Sequence, residues 1–129
     1  MIDKIKQVFK HKYNIELEGP FGSYFRTNGK KFKDLDFIAK SLPNQRRFMQ
    51  FDYDNNGKII DIDVWSYKDN YEKLFLEFSL KMSKLYNVIY RKLAKTYGYK
   101  LSQYGLYDNK GNKIKVKNTS DILKLLKKD

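Results

Sequence analysis

The sequence predicts an α+β fold in two parts, strand-rich over residues 1–67 and helix-led over 68–129, and three patterns carry that expectation. First, Asp34-Leu35-Asp36-Phe37-Ile38-Ala39 alternates so that Leu35 and Phe37 fall on one side of a strand and the two aspartates on the other. Second, Arg46–Tyr53 and Lys58–Tyr67 flank Asn56-Gly57, a strong type I′ hairpin signal. Third, the period changes from two to about 3.6 near residue 69, where helices take over.

The remaining elements follow from local spacing. Ile2, Ile5, Val8 and Phe9 recur at helical intervals over residues 2–13, with Asn14 or Gly19 available to end that helix. Ile15 to Leu17 reads as a short strand, and Gly19-Pro20-Phe21-Gly22-Ser23 as a turn into a basic loop. In the second hairpin arm Ile60, Ile62 and Val64 share one face; Ile59, Asp61, Asp63 and Trp65 share the other. The helical half breaks near Ser79, and its second helix runs to Gly98, a natural terminator. On that helix Lys84, Asn87, Arg91 and Lys95 are expected to form one polar stripe, with Met82, Leu85, Ile89 and Leu93 packing opposite. Tyr86, Tyr90, Tyr97 and Tyr99 read as core and rim. A hairpin around Lys110-Gly111-Asn112, returning through Ile114 and Val116, precedes a helix from about Ser120 to Leu126 capped by Thr119 or Ser120.

Composition narrows the chemistry. With 129 residues, 41% hydrophobic and 16% aromatic, the chain can bury a core. It has no cysteine and one histidine, His11, which excludes disulfides, thiolate zinc sites, cysteine nucleophiles, histidine metal clusters and Ser-His-Asp triads. No apolar run could cross a membrane, and Met1–Tyr13 lacks the apolar core of a signal peptide, so an intracellular (cytoplasmic), soluble protein is expected. The net charge of +12 suits a polyanionic partner, nucleic acid first; a lysine-rich codon bias gives the same charge without a partner. Against 23 lysines, the four arginines Arg26, Arg46, Arg47 and Arg91 mark positions where a planar, multi-donor cation is useful.

One constellation carries a reaction. Asp34 and Asp36 point the same way, and two adjacent carboxylates repel unless a cation lies between them. Alone, that pair reads more readily as a solvated strand face, since a lone Asp-x-Asp is common. Its surroundings add Gly22-Ser23, a turn with amides and a hydroxyl for phosphate, Arg26 to bridge phosphate oxygens, and a second strand bearing Asp61 and Asp63. Magnesium, a hard cation held by carboxylates and phosphates, fits such a set. Strand alternation does not choose between Asp61 and Asp63.

Gly22-Ser23-x-x-Arg26 followed by Asp34-Leu35-Asp36-Phe37-Ile38 resembles the core motif of family X DNA polymerases, the group of DNA polymerase beta. Leu85-Tyr86-Asn87-Val88-Ile89-Tyr90-Arg91, Gly98-Tyr99-Lys100-Leu101-Ser102-Gln103-Tyr104-Gly105-Leu106 and Asp121-Ile122-Leu123 resemble its C-terminal subdomain, closest to the minimal enzymes of large DNA viruses. The resemblance runs from about Ile15 to the end. It implies a nucleotidyltransferase palm in residues 1–67 and a DNA- and nascent-pair-binding subdomain in 68–129. It also implies a monomer that extends a DNA 3′ end in primer-template or gapped DNA from deoxynucleoside triphosphates, in repair. Two Mg2+ ions, replaceable by Mn2+, would sit on Asp34, Asp36 and Asp63. Gly22, Ser23 and Arg26 would hold the triphosphate, and Asn87 the incoming base or sugar edge. Arg91 would reach the template strand in the minor groove, and Tyr104 would help hold the subdomain around the new pair; Lys84 and Lys95, on the same polar stripe as Arg91 by spacing, are expected to bind DNA as well. Ile62-Asp63-Val64-Trp65 matches the family's third-carboxylate run better than the residues around Asp61.

The departures are specific. Ser23 to Asp34 is one residue longer than usual, and Asp36 to Asp63 is far shorter. Glu77-Phe78-Ser79-Leu80 replaces the family's Tyr-Phe-x-Gly, which leaves sugar selection open. No lyase or helix-hairpin-helix segment is recognisable, so no sugar-phosphate lyase activity is expected. A non-templated or RNA- or protein-modifying nucleotidyltransferase is the alternative. If the charge serves DNA, affinity for duplex should fall with salt at a log–log slope of about −0.9 per phosphate neutralised. Filter or fluorescence binding between low and moderate salt checks this; a flat response would favour codon bias.

Overall fold

Residues 1–41 and 47–126 are described by the computed structural model, and they divide into two units, Met1–Lys68 and Asp69–Asp129. Arg46, the expected start of the first hairpin arm, lies outside the described residues.

In the first unit, helix α1 (Ile2–Tyr13) ends where Asn14 adopts a left-handed conformation and its amide bonds back to Lys10. Residues 15–17 do not pair as a strand. Strand β1 is Glu18–Phe21, and the short helix α2 (Gly22–Arg26) follows directly where a turn and loop were expected. Gly19 lies within the strand and Gly22 opens a helical turn, so neither glycine makes the loop. Strands β2 (Asp34–Lys40), β3 (Phe48–Asn55) and β4 (Lys58–Tyr67) complete a sheet ordered β1-β2-β4-β3. β3 and β4 are the predicted hairpin. Asn56 and Gly57 both have positive φ (56° and 90°), as a type I′ turn requires, and Asp54 accepts from the Gly57 amide at 2.7 Å.

β4 runs parallel to β2 and inserts between it and β3. This pairing sends Leu35, Phe37, Ile62 and Val64 to one face, where Ile5 and Phe9 of α1 cover them. Phe9 meets Phe51 edge-on, with ring centroids 4.9 Å apart. The opposite face carries the aspartates.

The second unit holds α3 (Asn70–Lys81), α4 (Lys84–Thr96), β5 (Lys100–Ser102), β6 (Gly105–Tyr107) and α5 (Thr119–Leu126). Its core is Phe75, Phe78, Ala94, Leu101, Leu106, Ile122 and Leu126. Tyr71 ties α3 to the tail by donating to the Ile114 carbonyl at 2.8 Å. The helical break falls at Met82-Ser83, not Ser79, because Ser83 caps α4 by accepting from the Tyr86 amide. The tail ladder is β5–β6, turning at Gln103-Tyr104. Lys110-Gly111-Asn112 is a turn closed on the Asp108 carboxylate, with a single bridge between Tyr107 and Lys113. Asn118, not Thr119 or Ser120, caps α5 by accepting from the Asp121 amide.

The largest correction concerns α4. Leu85 and Ile89, expected to pack, are 66% and 39% exposed, and Tyr86 is 55% exposed. The helix instead turns Asn87, Tyr90 and Ala94 inward. Asn87 decides this rotation. Its amide donates to the carbonyls of Ser79 (2.8 Å) and Ser83 (3.0 Å), and its oxygen accepts from the Ser79 hydroxyl (3.1 Å). The first satisfies a carbonyl left open in the last turn of α3, and the second ties the side chain to the N-cap of α4. Hydrophobicity alone points to the wrong stripe, since the anchoring residue is polar. Asn87→Ala should therefore destabilise the protein by about 1–3 kcal/mol, read by thermal or denaturant unfolding; an unchanged midpoint would show that the junction holds without it.

Candidate active site

The aspartates are gathered by register. Across the parallel pair Asp34 lies opposite Asp61 and Asp36 opposite Asp63; across the hairpin Asp61 lies opposite Asp52 and Asp63 opposite Gln50. Two rows result on the face away from α1, Asp34-Asp61-Asp52 and Asp36-Asp63-Gln50. Ligand oxygens of Asp34, Asp36 and Asp63 all lie within 4.8 Å of one another.

Asp61 is not part of that cluster, although alternation puts it on the same face. It is exposed and shares a hydrogen bond with Asp52, which raises its pKa, with smaller contributions from burial and the charges of Asp52 and Asp34. Asp63 is 9% exposed and its pKa is also raised, chiefly by burial and then by neighbouring Asp34 and Asp61. Gln50 opposes the rise by donating from Nε2 to Asp63 Oδ1 at 3.2 Å. Asp36 is pushed up to about 6, first by burial and then by the charges of Asp34 and Asp63. The Trp65 indole N–H and the Arg26 guanidinium act in the other direction.

Gly22 belongs to this geometry for a steric reason. It lies beside Asp36 at the end of β1, with φ +71°, and a Cβ there would stand 2.3 Å from Asp36 Oδ2. Any side chain would displace the carboxylate. Ser23 and Arg26 lie on α2, immediately after it.

The other expected site residues lie in the second unit. Lys84, Arg91 and Lys95 are exposed on α4. Asn87 is half-buried with its amide engaged by the α3–α4 junction, so a base contact would require it to release one of those bonds. Tyr104 sits in the β5–β6 turn, its amide donating to the Ser102 hydroxyl. Gln50 and Trp65 were not anticipated, although counting outward from Asn56-Gly57 places both beside the aspartates.

Asp36 and Asp63 are both desolvated and both lie against the charge of Asp34, an unfavourable arrangement without a cation. All the donors are hard oxygens, a set that fits a divalent ion such as Mg2+.

Comparison with known proteins gives the fold. Residues 83–129 match the family model for the DNA polymerase beta thumb. Many solved chains are similar in structure. One is polymerase beta of Leishmania infantum, described as a ternary P/T complex, with TM-score 0.68 and 14% identity over 96% of this chain and 68% of that one. No curated protein sequence matches. The α+β fold is thus that of polymerase beta, and residues 83–129 are similar in sequence to its thumb. Among the described residues no helix is long and apolar enough to cross a membrane.

The strained carboxylates give a pH-dependent signature. The folded pKa of Asp36 lies above its unfolded value of 3.8, so the folded protein holds the extra proton. Its neutral form favours folding below pH ~4, and that contribution is lost as pH rises to about 6. At pH 7.5 without metal, Asp36→Asn should therefore be the more stable protein, by about 1–2 kcal/mol after discounting for partial solvent access. At pH 4 the difference should vanish. Mg2+ should stabilise the wild type at pH 7.5 and much less at pH 4. Thermal melts across this range check the sign; a wild type more stable than Asp36→Asn at pH 7.5 without metal would contradict it.

Proposed function

We propose that the chain is a metal-dependent nucleotidyltransferase that extends DNA 3′ ends under template direction, from deoxynucleoside triphosphates, on short gaps or primer-template ends. The observation that carries this reading is the convergence of Asp34, Asp36 and Asp63 on one face of a polymerase beta-like sheet. The thumb-like sequence at residues 83–129 supports DNA as the substrate class.

In this reading Asp34, Asp36 and Asp63 would hold the divalent ions, with Asp63 also helping to activate the primer hydroxyl. Once bound, two Mg2+ ions would neutralise triphosphate charge and favour the ionised 3′-hydroxyl. Gly22 permits close approach to Asp36, and Ser23 and Arg26 receive the triphosphate, Arg26 through paired N–H donors. Lys84, Arg91 and Lys95 offer an exposed cationic stripe for phosphates and the minor groove, Asn87 a base or sugar contact, and Tyr104 support for the subdomain. Transfer then depends on alignment and charge neutralisation more than on a proton-shuttling side chain.

The test is single-nucleotide incorporation on gapped DNA, with each nucleotide in turn and with or without chelator. Asp36→Asn and Asp63→Asn should lose at least about 100-fold in rate, while Asp61→Asn stays near wild type. Activity in chelator would overturn the metal assignment. A dead Asp61→Asn beside an active Asp63→Asn would reverse the third carboxylate.

A further inference from the structure

Carboxylates that repel one another need something to fix their directions before a cation arrives. On the sheet face two neutral N–H donors stand next to them. Gln50 is opposite Asp63 in register, and its Nε2 bonds to Asp63 Oδ1 at 3.2 Å, leaving the second oxygen for a ligand. Trp65 lies two residues beyond Asp63 on the same face, one step along β4 from the row that pairs Asp36 with Asp63. Its ring is held against Phe48, with centroids 4.2 Å apart. Its Nε1 is buried and reaches no acceptor at full hydrogen-bonding geometry, although such a donor is costly to leave unmet. Asp36 is its diagonal cross-strand neighbour on that face, because Trp65 pairs with Ile38 and Asp63 with Asp36.

We infer that Gln50 and Trp65 are positioning residues of the metal site: Gln50 sets the direction of Asp63, and Trp65 closes its indole N–H onto Asp36 when the site is loaded. The inference rests on the metal-site reading proposed above. Neutral donors suit the task, because they orient a carboxylate without cancelling the charge that attracts the cation. A lysine at either position would compete with the metal. Trp65 is the sole tryptophan of the chain, so its emission reports on this site alone.

The experiment is Mn2+ titration of the full chain without nucleotide or DNA, following free Mn2+ by electron paramagnetic resonance and Trp65 emission in parallel. In the wild type both signals should saturate together, with emission quenched by the paramagnetic ion. Gln50→Met and Trp65→Phe keep bulk and remove the donor; each should weaken Mn2+ binding about tenfold. In nucleotide incorporation each should lower kcat with KM for the nucleotide unchanged within about twofold. Gln50 is exposed, so Gln50→Met carries the test even if Trp65→Phe fails to fold. Wild-type Mn2+ affinity in Gln50→Met would overturn its role, and Mn2+ binding with unchanged emission would overturn that of Trp65. A wild type that binds Mn2+ but extends no primer would sink the polymerase reading, and the titrations would still decide these two residues. A wild type that binds no Mn2+ would overturn both.

Discussion

The parallel pairing of β2 with β4 is the constraint from which the rest of the first unit follows. It forces like charges together: in register, Asp34 faces Asp61 and Asp36 faces Asp63. The same pairing places Leu35, Phe37, Ile62 and Val64 on the reverse face, fully buried beneath α1. A one-residue slip of the register would move this apolar set out of the core. The hydrophobic face therefore holds the acidic face in place. Electrostatic strain and core packing are two sides of the same strands.

Much of this was legible in the sequence. Alternation gave β2 its two faces, and Asn56-Gly57 fixed the hairpin and, by counting outward, its register. The third carboxylate was not readable from alternation, since Asp61 and Asp63 share a face. The family resemblance favours Asp63, and the spatial pairing separates the two, with Asp61 drawn to Asp52 and Asp63 buried within the Asp34-Asp36 cluster. Gly22 was singled out as a turn residue, whereas its geometry shows a second demand, the approach of the Asp36 carboxylate. Gln50 was passed over because an amide on a hairpin carries no motif.

The second unit was harder to read, and Asn87 shows why. Helix periodicity identifies an apolar stripe, but the side that packs is chosen by whichever contacts satisfy the most. In α4 one polar residue, tied to Ser79 and Ser83, outweighs the aliphatic residues Leu85 and Ile89, which are left exposed. The caps were displaced for a similar reason. Ser83 and Asn118 take part in local hydrogen bonds that hydrophobic patterning does not register.

The acidic face has a consequence for how partners meet this protein. Asp34, Asp36, Asp52, Asp54, Asp61 and Asp63 lie on one side of one sheet, six of the fifteen acidic residues in a chain of net charge +12. Such segregation gives the sheet face a local field opposite in sign to the net charge, repulsive to a polyanion at the place where the reaction is proposed to occur. In the proposed reaction, divalent cations would thus act as a gatekeeper as well as a reagent. Salt screens the attraction of the cationic remainder, whereas divalent cations bound at this patch would raise the fraction of nucleic-acid encounters that arrive face-on.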